Sequence, residues 1–432
     1  MSRSSIELLD KAVKALMNYP LCDRCLGRLF AKYGLGLSNA ERGRALKTLI
    51  AMSLHDLLSS GAVDSSTAVR LAENGGSPIA EVVQRYVGAV DRRKCFICGD
   101  ELDAAIGELV VKGYEALSGR EFGSLLVGVA RGSPHEVREG EVVSALGIES
   151  WESVRREVKR EVGKRLQLLT GAEPRFRNPD VTLMIDLGTM EVRATSTQVF
   201  LKGRYYKVGR YISQRWWYSK GGGFRYKLSV EGVAGRASQI LAGSGVLIHA
   251  AGREDADARM LGNGRPLVIE VRNPLKRAIA VDLLNSALSD EWVKIVIDSA
   301  SSPEEMQRLK RSRSPKTYRV VAYVPAGVTE DELRNVEAAL SGVEVRQRTP
   351  KRILKRKKDV LRRRKVLQTS GKLLSEHLIE LVVVCESGLY VKELVSGDDG
   401  RTHPSVSSTL LKEATTLFLD VLEYGEGPAR QT

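Results

Sequence analysis

Apolar and polar positions follow two rhythms along this chain. Over roughly the first 60 residues they recur at helical spacing: MSRSSIELLDKAVKAL opens as an amphipathic helix and LCDRCLGRLF breaks the pattern. SSTAVRLAE and PIAEVVQRYVGAV keep the helical period. From about 80 to 205 helical stretches mix with alternating ones, LLVGVA and VTLMIDLG reading as strands and SVRREVKREVGKRLQLL as a basic helix. Beyond Gln214 strands dominate: GVLIHAAG, RPLVIEV, VKIVIDSA, TYRVVAYVP, LIELVVVCESG and TTLFLDVLEYG, interleaved with helices. Two of those helices announce their starts. Ser302-Pro303-Glu304-Glu305 joins a capping box to Pro at the first helical position, and Thr329 with Glu332 forms a second box. No repeat of fixed period is evident. The expected class is α+β, with a mixed or antiparallel sheet in the C-terminal half and a domain boundary near 205–225.

The 432 residues suffice for two or three domains with their own cores. Apolar content of 43% and charged content of 28% are those of a soluble globular protein. No apolar run approaches a membrane span, and the N-terminus lacks the apolar core of a secretory signal, so the expected compartment is the cytoplasm. Charge sharpens this picture because it is uneven. The chain carries a net +14, and Arg346–Lys365 alone holds twelve Lys or Arg against one acid, Asp359. Such a field favours a polyanion through counterion release. The stretch has few bulky apolar residues to insert into lipid, so nucleic acid is the expected partner rather than membrane.

Four of the five cysteines form two CxxC pairs, Cys22–Cys25 and Cys95–Cys98. In a cytosolic chain this spacing points to metal ligation rather than disulfides. Four thiolates from two such turns can enclose a structural Zn²⁺. No open position or general base lies nearby for catalysis. Cys385, alone in the apolar run LVVVC, reads as a core residue.

From Arg204 to Lys227 the chain places seven basic and eight aromatic residues with no acid. Rings can stack on unpaired bases while cations hold phosphates, as looped RNA requires. Tyr205 and Tyr206 are candidates for packing at a domain junction instead. Between two strand-like runs lies AAGREDADARMLGNGRP, with five charged residues from Arg253 to Arg259. Alternating acids and arginines can hold a reactive carboxylate ionised and oriented. Composition does not say which of Glu254, Asp255 or Asp257 would be that group.

GREDADARMLGNGRP resembles the signature of the archaeal and eukaryotic tRNA pseudouridine synthases that modify the T-loop, the tenth Pus family. CDRCLGRLF, KTYRVVAYVP, RQRTPKRILKRKKDVLRRRKV and GLYVKELVSGDDGRTHPS agree with it in order, so the resemblance covers nearly the whole chain. It implies that Asp255 is the nucleophile, with Glu254 and Asp257 shaping the loop or forming salt bridges and Arg253 contacting substrate. It further implies that Tyr318 packs against the target base and that Lys392 pairs with the aspartate. Tyr390 becomes a second substrate contact, on the same side as Lys392 if the strand continues, and Leu419 lines the uracil pocket. From spacing alone, Tyr318 would read as a core aromatic. The resemblance also implies a pseudouridine synthase catalytic domain over 206–432 and an accessory RNA-binding region over 1–205. That region would carry the zinc site of Cys22, Cys25, Cys95 and Cys98 and a THUMP domain at about 75–205. The expected substrate is tRNA, at T-loop positions 54 and 55, with no catalytic cofactor and no obligate protein partner. Archaeal relatives commonly carry extra cysteines after the THUMP region; here SQRWWYSKGGGFRYK stands in their place, so no second metal is expected.

Rival readings are weaker. A deaminase needs H-x-E with P-C-x-x-C, and neither is present. The G-S-G of LAGSGVLIH precedes a strand rather than following one, unlike a cofactor-binding turn. A non-catalytic zinc-containing THUMP protein that binds tRNA or acts as its chaperone is the remaining alternative. It would have no reason to converge Asp255, Tyr318 and Lys392 in one cleft.

Overall fold

The computed structural model describes residues 3–219 and 221–425. They form two compact units that divide between Thr197 and Gln198. The first domain was expected to run to 205, but Val199–Lys207 is a strand hydrogen-bonded to Arg259–Arg272 on one side and Val293–Ser301 on the other. It therefore belongs to the second unit, and the division precedes it. No helix among the described residues is long and apolar enough to cross a membrane.

In the first unit, a four-stranded sheet runs in the order Glu173–Pro174, Ser124–Val129, Val181–Asp186 and Glu191–Ser196. The first three strands are parallel and the last antiparallel. Helices Leu102–Leu117 and Val154–Thr170 pack on the sheet; Val158, Val162 and Leu166 of the latter are fully buried, as their helical spacing demands. LCDRCLGRLF, read as a break, is largely helical itself: Asp23–Leu29 is a short helix with Cys22 as its N-cap. A thiol acceptor at the cap replaces the usual hydroxyl, which hides the signal.

The second unit is built on a mixed ten-stranded sheet. Its centre runs Arg362–Ser375, Leu378–Cys385, Lys316–Tyr323, Thr415–Tyr424, Arg259–Arg272, Val199–Lys207. Every pairing in this series is antiparallel except one: Thr415–Tyr424 lies parallel to Arg259–Arg272, through Asp420 and Val421 opposite Arg259 and Met260. Asp420 is buried there and accepts hydrogen bonds from Arg259 (2.6 Å) and Arg210 (2.7 Å). That junction draws the loop before Arg259 alongside the strands carrying Tyr318 and Leu419. The strand period holds on Lys316–Tyr323: Val320 and Ala322 are buried while Tyr323 is exposed. Cys385 is buried in the core, as expected.

Both helix starts are present. Thr329 and Glu332 close a full capping box. At Ser302 the hydroxyl accepts from the Glu305 N–H behind Pro303, but the Glu305 carboxylate turns to the Ser301 hydroxyl instead of completing the box.

Candidate active site

The loop Gly252–Ala258 connects the hairpin strands Gly245–Ala250 and Arg259–Arg272. It turns at Gly252, whose φ of +86° suits glycine and where a β-carbon would stand 3.0 Å from the Lys316 Nζ. Buried cations fasten the loop from beneath. The Lys207 ammonium, fully buried, donates to the carbonyls of Ile212 (2.9 Å) and Asp255 (3.0 Å), and Arg210 donates to the Asp257 carbonyl (2.8 Å).

The three acids left open by composition separate by direction. Glu254 points inward: it is ion-paired with Arg265 (3.0 Å) and Lys207 (3.4 Å) and accepts from the Tyr205 hydroxyl (2.7 Å). Burial pushes its carboxyl up, but the charges of Arg265 and Lys207 outweigh it and hold it below the usual range. Asp255 points the other way, into a cavity of about 540 Å³. Asp257 does not line that cavity; its carboxylate lies 2.6 Å from the Lys392 Nζ. Burial raises its carboxyl and Lys392 more than reverses that.

Arg253, Asp255, Tyr318, Tyr390, Lys392 and Leu419 all line this one cavity. Tyr318 reaches it from the strand face it shares with Val320, and burial pushes its phenol well above the ordinary value. Leu419 is nearly buried at the cavity wall. Tyr390 and Lys392 arrive differently from the expected strand. Tyr390 is the N-cap of a helix, Val391–Ser396, and Lys392 sits in its first turn. The apolar run ends at Cys385, and Gly388, at φ +95°, turns the chain before the helix begins. The buried Gln347 side chain clamps Tyr390 in place, donating to its carbonyl (3.0 Å) and accepting its N–H (2.8 Å).

Lys392 lies 3.4 Å from the Asp255 carboxylate, farther than from Asp257. The closer partner of Asp255 is Arg352, whose two terminal nitrogens lie 3.1 and 3.2 Å from its two oxygens. Arg352 in turn donates through Nε to Glu393 (2.7 Å). Sequence reasoning did not single out Arg352. Nothing in the sequence separates it from the other eleven cations of Arg346–Lys365. The loop that carries it is closed by specific bonds: Thr349 Oγ1 accepts from Val360 N–H and donates to the Lys358 carbonyl, Arg401 donates to the Thr349 carbonyl, and the Lys351 N–H donates to Asp398. Thus part of GLYVKELVSGDDGR serves to hold the basic loop against the cavity.

The aromatic segment divides. Tyr205 is fully buried in the core of the second unit. Trp217 lines the cavity and is flanked by two guanidiniums, Arg225 at 4.8 Å and Arg356 at 4.7 Å from its ring centroid. Tyr211, Tyr218 and Phe224 are exposed.

In the first unit, the sulfurs of Cys22, Cys25, Cys95 and Cys98 all lie within 4.8 Å of one another. Cys22 and Cys98 are 3.6 Å apart, close to the edge of a tetrahedron with metal–sulfur bonds of about 2.3 Å. Arg28, fully buried and ion-paired with Glu139 (2.8 Å) and Glu157 (3.0 Å), donates toward the Cys25 sulfur at 3.6 Å. This four-cysteine cluster has the donors and spacing to hold a metal.

The family model described as "Pus10, C-terminal" matches residues 200–424, and that described as "Pus10 THUMP domain, archaeal" matches 110–186. The chain is 40% identical over 427 residues to the tRNA pseudouridine synthase Pus10 of Thermosphaera aggregans, covering 96% of each. It is 37% identical over 429 residues to that of Ignisphaera aggregans, covering 98% of this chain and all of the relative. This chain belongs to the Pus10 family. The Pus10 C-terminal match begins at residue 200, within Val199–Lys207, the strand that the structure assigns to the second unit. The Pus10 THUMP match, narrower than the expected 75–205, takes in the parallel strands Ser124–Val129 and Val181–Asp186 with the helices Pro134–Leu146 and Val154–Thr170 between them.

Proposed function

We propose that this Pus10 chain is an isomerase that converts uridine to pseudouridine in the T-loop of tRNA, at positions 54 and 55, with Asp255 as the nucleophile. The observation that carries the reading is the Asp255 carboxylate gripped by Arg352 and approached by Lys392 in a cavity lined by Tyr318 and Tyr390. A protein that merely bound tRNA would gain nothing from that convergence.

In the reaction the N1–C1′ bond breaks, the uracil turns, and C5 bonds to C1′; the C5 proton leaves and N1 takes one up. The change is redox-neutral and needs no organic cofactor. Asp255 supplies the attacking oxygen. Arg352 and Lys392 hold it ionised and aimed, a preorganised field of the kind that contributes most to such catalysis. Tyr318, Tyr390 and Leu419 confine the detached base, and Arg253 contacts the substrate at the rim. Drawing a uridine out of a folded T-loop costs roughly a few kcal/mol. The basic loop, Trp217 and the THUMP region supply the compensating contacts with phosphates and bases. Cys22, Cys25, Cys95 and Cys98 would hold a structural Zn²⁺ that stiffens the first unit. The proposed compartment is the cytoplasm, and the proposed partner is tRNA.

The test is incubation with an unmodified tRNA transcript and mapping of pseudouridine by carbodiimide-dependent reverse-transcription stops. Stops at 54 and 55 are expected with wild type and none with Asp255→Asn, which should still bind the transcript. Product formed by Asp255→Asn would remove that residue from the chemistry.

A further inference from the structure

Lys316 opens the strand Lys316–Tyr323, two residues before Tyr318 and on the same face. Its side chain is nearly buried, at 5% exposure, yet it lines the same cavity as Asp255. Its surroundings leave it under-partnered. Among the described residues its ammonium makes one hydrogen bond, long at 3.4 Å, to the Ser387 hydroxyl, and it lies 5.4 Å from the Tyr424 ring centroid. No carboxylate of the described residues stands within ion-pairing distance of it. Another cation, the fully buried Arg265, lies beside it: a β-carbon at Gly252 would meet the Lys316 Nζ at 3.0 Å and the Arg265 Nη1 at 3.1 Å.

Glu254 already answers Arg265 and Lys207, so this corner of the cavity carries a surplus of positive charge. Burial, reinforced by the Arg265 charge, pushes Lys316 down to about 8, which leaves it mostly protonated at neutral pH. Two buried cations side by side are costly, and an apolar side chain would pack there at less cost. An ammonium has three donors, and here at least one is uncommitted on the cavity side.

We propose that Lys316 recognises the target base, donating a hydrogen bond to a carbonyl oxygen of the uracil. The inference rests on the function proposed above and adds to it the group that reads the base. When the N1–C1′ bond breaks, its electron pair leaves with the uracil and spreads from N1 onto O2 and O4. A fixed, nearly buried donor stabilises that charge. Aimed at O4, the same donor also discriminates against cytosine, which presents an amino group there; aimed at O2, which cytosine shares, it does not. Tyr318 and Leu419 supply the apolar walls, and neither offers this distinction.

The experiment compares single-turnover rates on three tRNA transcripts carrying uridine, 2-thiouridine or 4-thiouridine at the target position. Product is read by nucleoside chromatography. Sulfur accepts hydrogen bonds more weakly than oxygen. Wild type should be slowed by one of the two thio substitutions. Lys316→Met should lose on the order of a hundredfold in rate on uridine and show no further loss on that thio transcript. A Lys316→Met rate equal to wild type, or a thio penalty undiminished in the variant, overturns the proposal. Should the variant fail to fold, the wild-type comparison still decides: equal rates on all three transcripts overturn it. Wild type forming no pseudouridine on the uridine transcript would instead overturn the enzymatic reading itself.

Discussion

Arg352 meets Asp255 through both terminal nitrogens, at 3.1 and 3.2 Å, while its Nε is held by Glu393 at 2.7 Å. The contact links a loop of the basic run to the loop of the GRED motif, 97 residues apart in the chain. A fork-shaped guanidinium fixes a carboxylate in orientation as well as charge. Glu393 is buried, and one of its oxygens has no hydrogen-bond partner, so its whole pull falls on Arg352.

Arg352→Gln is therefore expected to lower kcat on the order of a hundredfold while changing tRNA affinity far less. Arg352→Lys should recover part of the loss, and Glu393→Gln should fall between. Single-turnover kinetics beside filter binding separate the two effects. An Arg352→Gln enzyme with wild-type kcat would refute the role.

Glu254 predicts an acid limb in stability. Its folded carboxyl lies below the ordinary 4.5, so on acidification the unfolded chain takes up the proton first. Its contribution is complete above about pH 4.5 and is lost as pH falls through the lower folded value. Glu254→Gln should flatten that limb. At neutral pH it should cost about 3–5 kcal/mol, because Arg265 and Lys207 stay buried without their counter-charge. Urea unfolding across pH 3 to 7 checks both; acid limbs that superimpose would sink the assignment.

Replacing Lys355, Arg356, Lys357 and Lys358 together by Ala should weaken tRNA binding and flatten its dependence on salt. The slope of log K against log salt should fall by roughly 0.7 to 0.9 for each phosphate that the variant no longer neutralises. Arg356 and Lys357 line the cavity, so the effect should be felt near the target nucleotide. An unchanged slope would place the loop off the RNA path.

Metal analysis of the purified protein should find about one zinc per chain. Cys25→Ser with Cys95→Ser should abolish it and lower the melting temperature. Full metal content in the double variant would show that these sulfurs are not the ligands.

Much of this molecule was legible along its chain. The strand alternation of TYRVVAYV, the capping box at Thr329 and the paired cysteines are local patterns, in which the period of the backbone or the reach of a CxxC turn dictates who faces whom. The resemblance carried by GREDADARMLGNGRP picked out Asp255. Tertiary structure decided what local pattern leaves degenerate. Three acids within four residues look alike until buried Arg265 and Lys207 draw Glu254 inward and leave Asp255 facing the cavity. Twelve cations in one run look alike until the bonds of Thr349, Asp398 and Arg401 close the loop and aim Arg352 at that carboxylate. LYVKEL looks like a continuing strand until Gly388 turns it and Gln347 pins Tyr390 at the head of a helix. In each case the deciding partner is distant in sequence, and its pull depends on distance and burial in space, neither of which a linear pattern records.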